Sequence, residues 1–207
     1  MYIMSSLLSF LKEDGIEACM DETGYGSLCG RVYCAAVIWP KNFVDDGSEE
    51  LRMINDSKQV SEVKRNKLRQ YIKDNCVYSI AFATVQEIDE LNILGARNLA
   101  MHRCVDDLLR RGYTIDRLLI DGNRYTSHID IEYHTIVKGD AKFIGIACAS
   151  ILAKTERDEY MLTLHEKYSI YKWNTNMGYG TKEHRELIRK HGPCEEHRSK
   201  FIRKILS

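Results

Sequence analysis

The chain has 207 residues, 44% of them hydrophobic and only two prolines, which predicts a sizeable core in one domain (1–207) with a small appendage. Its 30 Lys and Arg balance 30 Asp and Glu, so the formal charge is zero. That excludes a simple cationic coat for polyanions and makes any nucleic-acid contact a local one.

Residues 1–10 are mildly apolar, lack a basic leader and are interrupted by Lys12, Glu13 and Asp14, too short a run for a membrane span; they read as a short amphipathic helix. Residues 16–21 and 32–39 are β-branched, aromatic and small-apolar, with Gly24, Gly26 and Gly30 between them, which predicts a hairpin. A polar loop with Asp45, Asp46, Gly47 and Ser48 follows. Ser61 is then a plausible N-cap for a helix over 61–73, where Leu68 and Ile72 share a face. Residues 76–85 read as a third strand, 96–109 as an amphipathic helix, and 117–120 and 133–137 as two further strands. From 143 to about 167 the pattern predicts a long helix whose small early residues (Ala147, Cys148, Ala149, Ser150, Ala153) allow close packing on a sheet. Two short helices, near 182–190 and 195–205, follow around Gly192 and Pro193. The seven cysteines are odd in number and scattered without a C-x-x-C pair, which fits a reducing, cytoplasmic setting.

Four carboxylates stand where strands end: Asp21 and Glu22 at the end of the first, Asp121 closing Leu118-Leu119-Ile120, and Asp140 just after Ile136-Val137-Lys138-Gly139. A carboxylate at the end of an apolar strand is fixed by the sheet, so several strands can converge their acids at one sheet edge. Oxygen donors of this kind suit hard cations such as Mg²⁺, and paired ions serve phosphodiester hydrolysis. Any one of these acids alone more often caps a turn, as Asp121 before Gly122 would. Asp21 and Glu22 are adjacent, so in a regular strand they face opposite sides unless a bulge or turn redirects one.

Met20-Asp21-Glu22-Thr23-Gly24-Tyr25-Gly26, Asn55-Asp56-Ser57-Lys58, Glu87-Ile88-Asp89-Glu90-Leu91-Asn92-Ile93-Leu94 and Ile120-Asp121-Gly122-Asn123 together resemble the ribonuclease HII family. So do Val137-Lys138-Gly139-Asp140, Ala149-Ser150-Ile151-Leu152-Ala153-Lys154, Gly178-Tyr179-Gly180-Thr181 and His197-Arg198, in order and at similar spacing over roughly residues 16–201. The resemblance implies an α/β fold, an RNase H-like mixed β-sheet flanked by helices, with a helical substrate-contacting extension over about 170–207. It implies a monomeric endonuclease, with no membrane association, acting on RNA/DNA hybrids and on ribonucleotide-containing duplex DNA. Products would carry 3′-OH and 5′-phosphate ends. Asp21, Glu22, Asp121 and Asp140 would hold Mg²⁺ or Mn²⁺, one ion near Asp21 and Asp140 and the other near Glu22 and Asp121.

Substrate contacts carried over from the family are Gly24, Tyr25 and Gly26 at the ribose, Lys58 at phosphate, Ser150 and Lys154 on one helix face near the site, and Tyr179 stacking on the deoxyribose. Without the resemblance, Lys58 and Lys154 read as solvated lysines, Ser150 as a helix-packing residue and Tyr179 as part of a tight turn. Gly24-Tyr25-Gly26 departs from the family's Gly-Arg-Gly, and Tyr25 cannot supply a cationic fork. This predicts weaker phosphate binding or altered junction preference, with Arg31 a candidate to replace part of the charge. An alternative is an RNase H-like duplex-binding protein with weak or altered cleavage because of Tyr25. Residues 182–204 carry eight Lys or Arg against four Glu, either a duplex-backbone clamp or a helix laced with ion pairs. His184, His191 and His197 in that stretch read as surface residues.

Overall fold

The computed structural model describes residues 7–44, 47–54 and 62–207. Asp45, Asp46, the Ser61 cap and Lys58 lie outside the described residues. The elements in order are β1 (Glu17–Thr23), β2 (Val32–Ile38), α1 (Glu49–Ile54), α2 (Glu62–Asn75), β3 (Val77–Ala83), α3 (Val85–Arg110), β4 (Arg117–Asp121), β5 (Glu132–Ile136), α4 (Ile144–Lys167), α5 (Trp173–Asn176), α6 (Lys182–His191) and α7 (Ser199–Leu206). The sheet runs β3-β2-β1-β4-β5, antiparallel among β1, β2 and β3 and parallel among β1, β4 and β5. This is the expected mixed sheet flanked by helices.

Strand faces follow from the period of two. Met20, Cys34, Ala36, Leu118 and Ile120 pack under α3, where Ala96, Ala100, Met101 and Cys104 are fully buried. The alternate residues Ala35 and Val37 pack under α4 and α2 through Ala147, Leu152, Leu68 and Ile72. Small side chains at the start of α4 let its axis approach the sheet, as the sequence suggests. Each large aliphatic chain so buried contributes about 1.5–3 kcal/mol. A third cluster joins α4 to the C-terminal helices through Met161, Trp173, Ile188 and Ile202, with Leu28 and Cys29 of the loop after β1. Among the described residues no helix is long and apolar enough to cross a membrane.

The described elements differ from the sequence expectation in several places: the short helices α1 and α5 were not expected, and β1 runs to Thr23, past the expected end at residue 21. Residues 7–10 form no helix; Leu8 instead bridges Phe143, because the chain here is tied to the start of α4 by the Leu8 N–H to Lys142 O and Ile144 N–H to Leu8 O bonds. Helix α3 begins at Val85, eleven residues before the expected start, because Thr84 and Glu87 form a reciprocal capping box. Asn92, at φ 60°, kinks this helix, and its side-chain oxygen accepts the N–H groups of Leu94 and Gly95 to restart it. Helix α7 begins only at Ser199, since residues 196–198 are engaged with the loop after β1: Gly30 N–H donates to Glu196 O and Arg198 N–H to Leu28 O. Asp89 accepts the N–H of Ser199 at 3.1 Å and so caps α7.

Candidate active site

Asp21 and Glu22 both lie inside β1, opposite Ala35 and Cys34 of β2. No bulge redirects them. Asp21 faces α4, whose Ser150 hydrogen-bonds its carboxylate, and its Oδ1 also accepts the Glu22 N–H at 2.7 Å. Glu22 faces α3, where Arg97 Nε lies 2.8 Å from its Oε2, an ion pair off the hydrogen-bond axis. Asp121 ends β4, the parallel neighbour of β1, and its Oδ1 accepts the N–H of Gly139 at 2.6 Å. Asp140 follows in a 3-10 turn (Gly139–Ala141) directly after that donor, half-buried at the same end of the sheet.

Burial, and then the adjacent Glu22 charge, push the Asp21 carboxyl well above the usual carboxylate range, with Asp121 adding to the repulsion and the Ser150 hydrogen bond opposing it. Burial raises Glu22 as well, and Arg97 counteracts it. Buried carboxylates crowding one another in this way suit a cation, and an all-oxygen donor set suits a hard one. Among the described residues the acids do not close into a cage of three or more ligands around one point.

Of the other expected residues, Tyr25 shares a cleft with Glu22 and Ser150 reaches Asp21. Tyr25 and Tyr179 are 38% and 36% exposed, so both rings are available to a ligand. Gly24 and Gly178 have φ of 85° and 78°, left-handed turns that hold those tyrosines outward. Gly26 has neither a positive φ nor any neighbour within 4 Å of a Cβ placed there. Ser150 reaches the acids, whereas Lys154, one turn further along α4, pairs with Asp158 at 2.6 Å. A cleft of about 300 Å³ beside Glu22 is lined by Tyr25, Arg97, Asn123 and Arg124.

Several sequence assignments change. Arg31 does not add a positive charge beside Tyr25, because its guanidinium stacks on Phe82 at 4.0 Å and Tyr160 at 4.5 Å, toward the β3 edge. Arg198 is fully buried and donates to loop carbonyls, so it is no part of an exposed clamp. Lys182, Arg185, Arg189, Lys190, Lys200, Arg203 and Lys204 are the cations of this segment that remain exposed. His184 and His197 are buried, not surface residues, because His184 lies one turn before Ile188 on the inner face of α6. Arg97, which reaches Glu22 and the Asp121 carbonyl, was not singled out from sequence; its place between Ala96 and Ala100 on the buried face of α3 is the available signal.

The two histidines form a neutral chain. His184 Nδ1 lies 2.9 Å from Tyr179 O and so donates to it, while His184 Nε2 accepts from Trp173 Nε1 at 3.0 Å. His197 Nε2 stands 3.4 Å from His184 Nε2, and its Nδ1 accepts the Cys194 N–H. Burial and the neighbouring His184 push His197 down from the usual 6.5 to about 4. Between those values the unfolded chain binds the proton that the folded one refuses, so stability falls as pH drops from 6.5 toward 4. Urea midpoints across that window should decline, and His197→Asn should show a shallower slope; equal slopes would contradict a neutral buried pair.

The family model for Ribonuclease HII matches residues 18–204. A protein named Ribonuclease HII from Bacteroides thetaiotaomicron is 50% identical over 94% of this chain and 94% of its own length. One of the same name from Neisseria meningitidis is 43% identical over 93% of this chain and 96% of its own. Among solved structures, the RNase HII of Archaeoglobus fulgidus, determined in complex with PCNA, superposes with a TM-score of 0.69 at 21% identity, covering 92% of this chain and 97% of that one. Bst-RNase HIII in complex with Mn²⁺ superposes at 0.68 with 17% identity, covering 92% of this chain and 64% of that one, which shows a shared fold.

Proposed function

The chain belongs to the ribonuclease HII family and is a ribonuclease H, a divalent-metal-dependent endonuclease of RNA–DNA duplexes, and we propose that it works through Asp21, Glu22, Asp121 and Asp140. On this reading it hydrolyses the RNA strand of RNA/DNA hybrids and cuts 5′ of ribonucleotides embedded in duplex DNA, leaving 3′-OH and 5′-phosphate ends. The observation that carries the site assignment is geometric: Asp21 and Glu22 follow Met20, which pairs with Ile120 of β4, Asp121 ends that strand, and Asp140 directly follows the Gly139 whose N–H Asp121 accepts.

Asp21, Glu22, Asp121 and Asp140 would hold Mg²⁺ or Mn²⁺, which would supply water activation and charge neutralisation at the leaving oxygen. The chain's own part is positioning. Ser150 holds Asp21, the Gly139 N–H holds Asp121 and Arg97 holds Glu22, so the donors keep their orientation without substrate. The Gly24 turn lets main-chain groups approach a 2′-OH, the Tyr179 ring offers a face to the neighbouring sugar, and the exposed cations of α6 and α7 meet the duplex backbone. Lys58 and Lys154 would add phosphate contacts, Lys154 after releasing Asp158. The protein acts as a cytoplasmic monomer in this reading.

The rival reading, a duplex-binding protein with weak cleavage because of Tyr25, is not favoured, since the likeness to proteins named Ribonuclease HII runs over nearly the whole chain. Tyr25 instead sets binding strength. In a cleavage-dead background, Tyr25→Arg should tighten duplex binding and steepen its salt dependence by about one counterion. An unchanged salt slope would mean that position 25 does not meet phosphate. Mapping product ends on a duplex with one ribonucleotide tests the reaction: a cut on its 5′ side with a 3′-OH upstream supports it, and a cut on the 3′ side overturns it.

A further inference from the structure

Arg157 of α4 is fully buried and makes no ion pair among the described residues. A guanidinium removed from water needs its N–H groups satisfied. Here every acceptor belongs to one of two loops. Nη2 donates to Ser27 Oγ at 2.8 Å and Cys29 O at 3.4 Å, and Nε to Arg31 O at 3.3 Å, all in the loop after β1 that carries Tyr25. Nη1 donates to Met177 O at 3.0 Å, and the guanidinium carbon lies 5.3 Å from the centre of the Tyr179 ring, in the second glycine loop. Gly24 lies so near that a Cβ there would stand 2.2 Å from Arg157 Nε. Arg198, which is also fully buried, directs its side-chain hydrogen bonds to the first loop, to Tyr25 O, Ser27 O, Gly30 O and Arg31 O. The loops also touch directly, by the Leu28 N–H to Gly178 O bond of 2.8 Å.

We propose that Arg157 is a positioning residue that fixes the 24–31 loop and the 177–181 loop to each other, so that Tyr25 and Tyr179 present one rigid reading edge to the ribonucleotide. This rests on the function proposed above for those two loops. A buried cation bonded to carbonyls has a directional requirement that apolar packing lacks, so it holds the loops at one spacing. It also places positive charge directly behind a loop whose tyrosine carries none. Misplacement of a reading element by about 1 Å costs on the order of 10²-fold in rate.

Two measurements test it. In cleavage of a duplex with one ribonucleotide, Arg157→Lys should lower kcat on the order of 10²-fold with KM little changed, and adding Tyr179→Ala should cost far less in that background than in wild type. A purely structural role would make the two losses multiply. In the free protein, Ser27→Ala removes one Arg157 acceptor without touching the second loop, and should raise amide hydrogen exchange at 177–181 as well as at 24–31. Exchange raised only at 24–31 would overturn the coupling. If wild type cuts no duplex, the proposed function fails while the exchange result still decides the role of Arg157.

Discussion

Asp21→Asn is expected to abolish cleavage, by at least on the order of 10³-fold, while leaving the protein no less stable than wild type. The loss follows from the removal of a negative donor at the centre of the acid group. The preserved stability follows from its surroundings. Asparagine keeps the side-chain oxygen that accepts the Glu22 N–H and the Ser150 hydrogen bond. What it removes is a buried charge beside Glu22 and Asp121. A carboxyl whose folded proton affinity is raised helps folding only at low pH and loses that contribution as pH rises, so above the ordinary carboxylate range the Asp21 carboxyl costs folding free energy that an amide does not. Melting in EDTA should therefore occur at an equal or higher temperature for the variant. Added Mg²⁺ or Mn²⁺ should stabilise wild type and have much less effect on Asp21→Asn. Activity within tenfold of wild type, or a variant that melts well below it, would each contradict the assignment.

Gly24→Ala should be among the most damaging single methyl additions, and Gly26→Ala, two residues away, nearly silent in stability. At Gly24 a Cβ meets the buried Arg157 guanidinium at 2.2 Å while φ is +85°. Left-handed strain costs about 1–2 kcal/mol and overpacking about 1–3, so a loss of roughly 3 kcal/mol is expected. At Gly26 a Cβ meets nothing within 4 Å, and a change within about 0.5 kcal/mol follows. Denaturant midpoints of the two variants check this, and cleavage by Gly24→Ala should fall with the displaced loop. Equal destabilisation at both positions would show that the turn does not have the conformation described.

The strand ends were legible because an apolar run closed by an acid, as in Leu118-Leu119-Ile120-Asp121, has a single economical reading in a sheet. Alternation also placed Asp21 and Glu22 on opposite faces, and the structure keeps them there with separate partners on α4 and α3. Helix starts were harder. Thr84 and Glu87 form a readable capping box, but the polar stretch and the Asn92 kink after it broke the helical period. The C-terminal segment misled more deeply. Counting charge along 182–204 treats Arg198 as solvated, whereas its acceptors are backbone carbonyls more than 160 residues away in sequence. Arg157 shares that reason: the groups that satisfy it are carbonyls, and no pattern of residue types encodes where they converge. His184 was recoverable, since Ile188 four residues on marks the inner face of α6.

The most direct measurement is cleavage of two duplexes identical except for one ribonucleotide, by wild type with Mg²⁺ or Mn²⁺ and again in EDTA. The account predicts a single cut 5′ of the ribonucleotide, dependent on the cation, and an intact all-DNA duplex. Cation-independent cutting, or equal cutting of both duplexes, would contradict it.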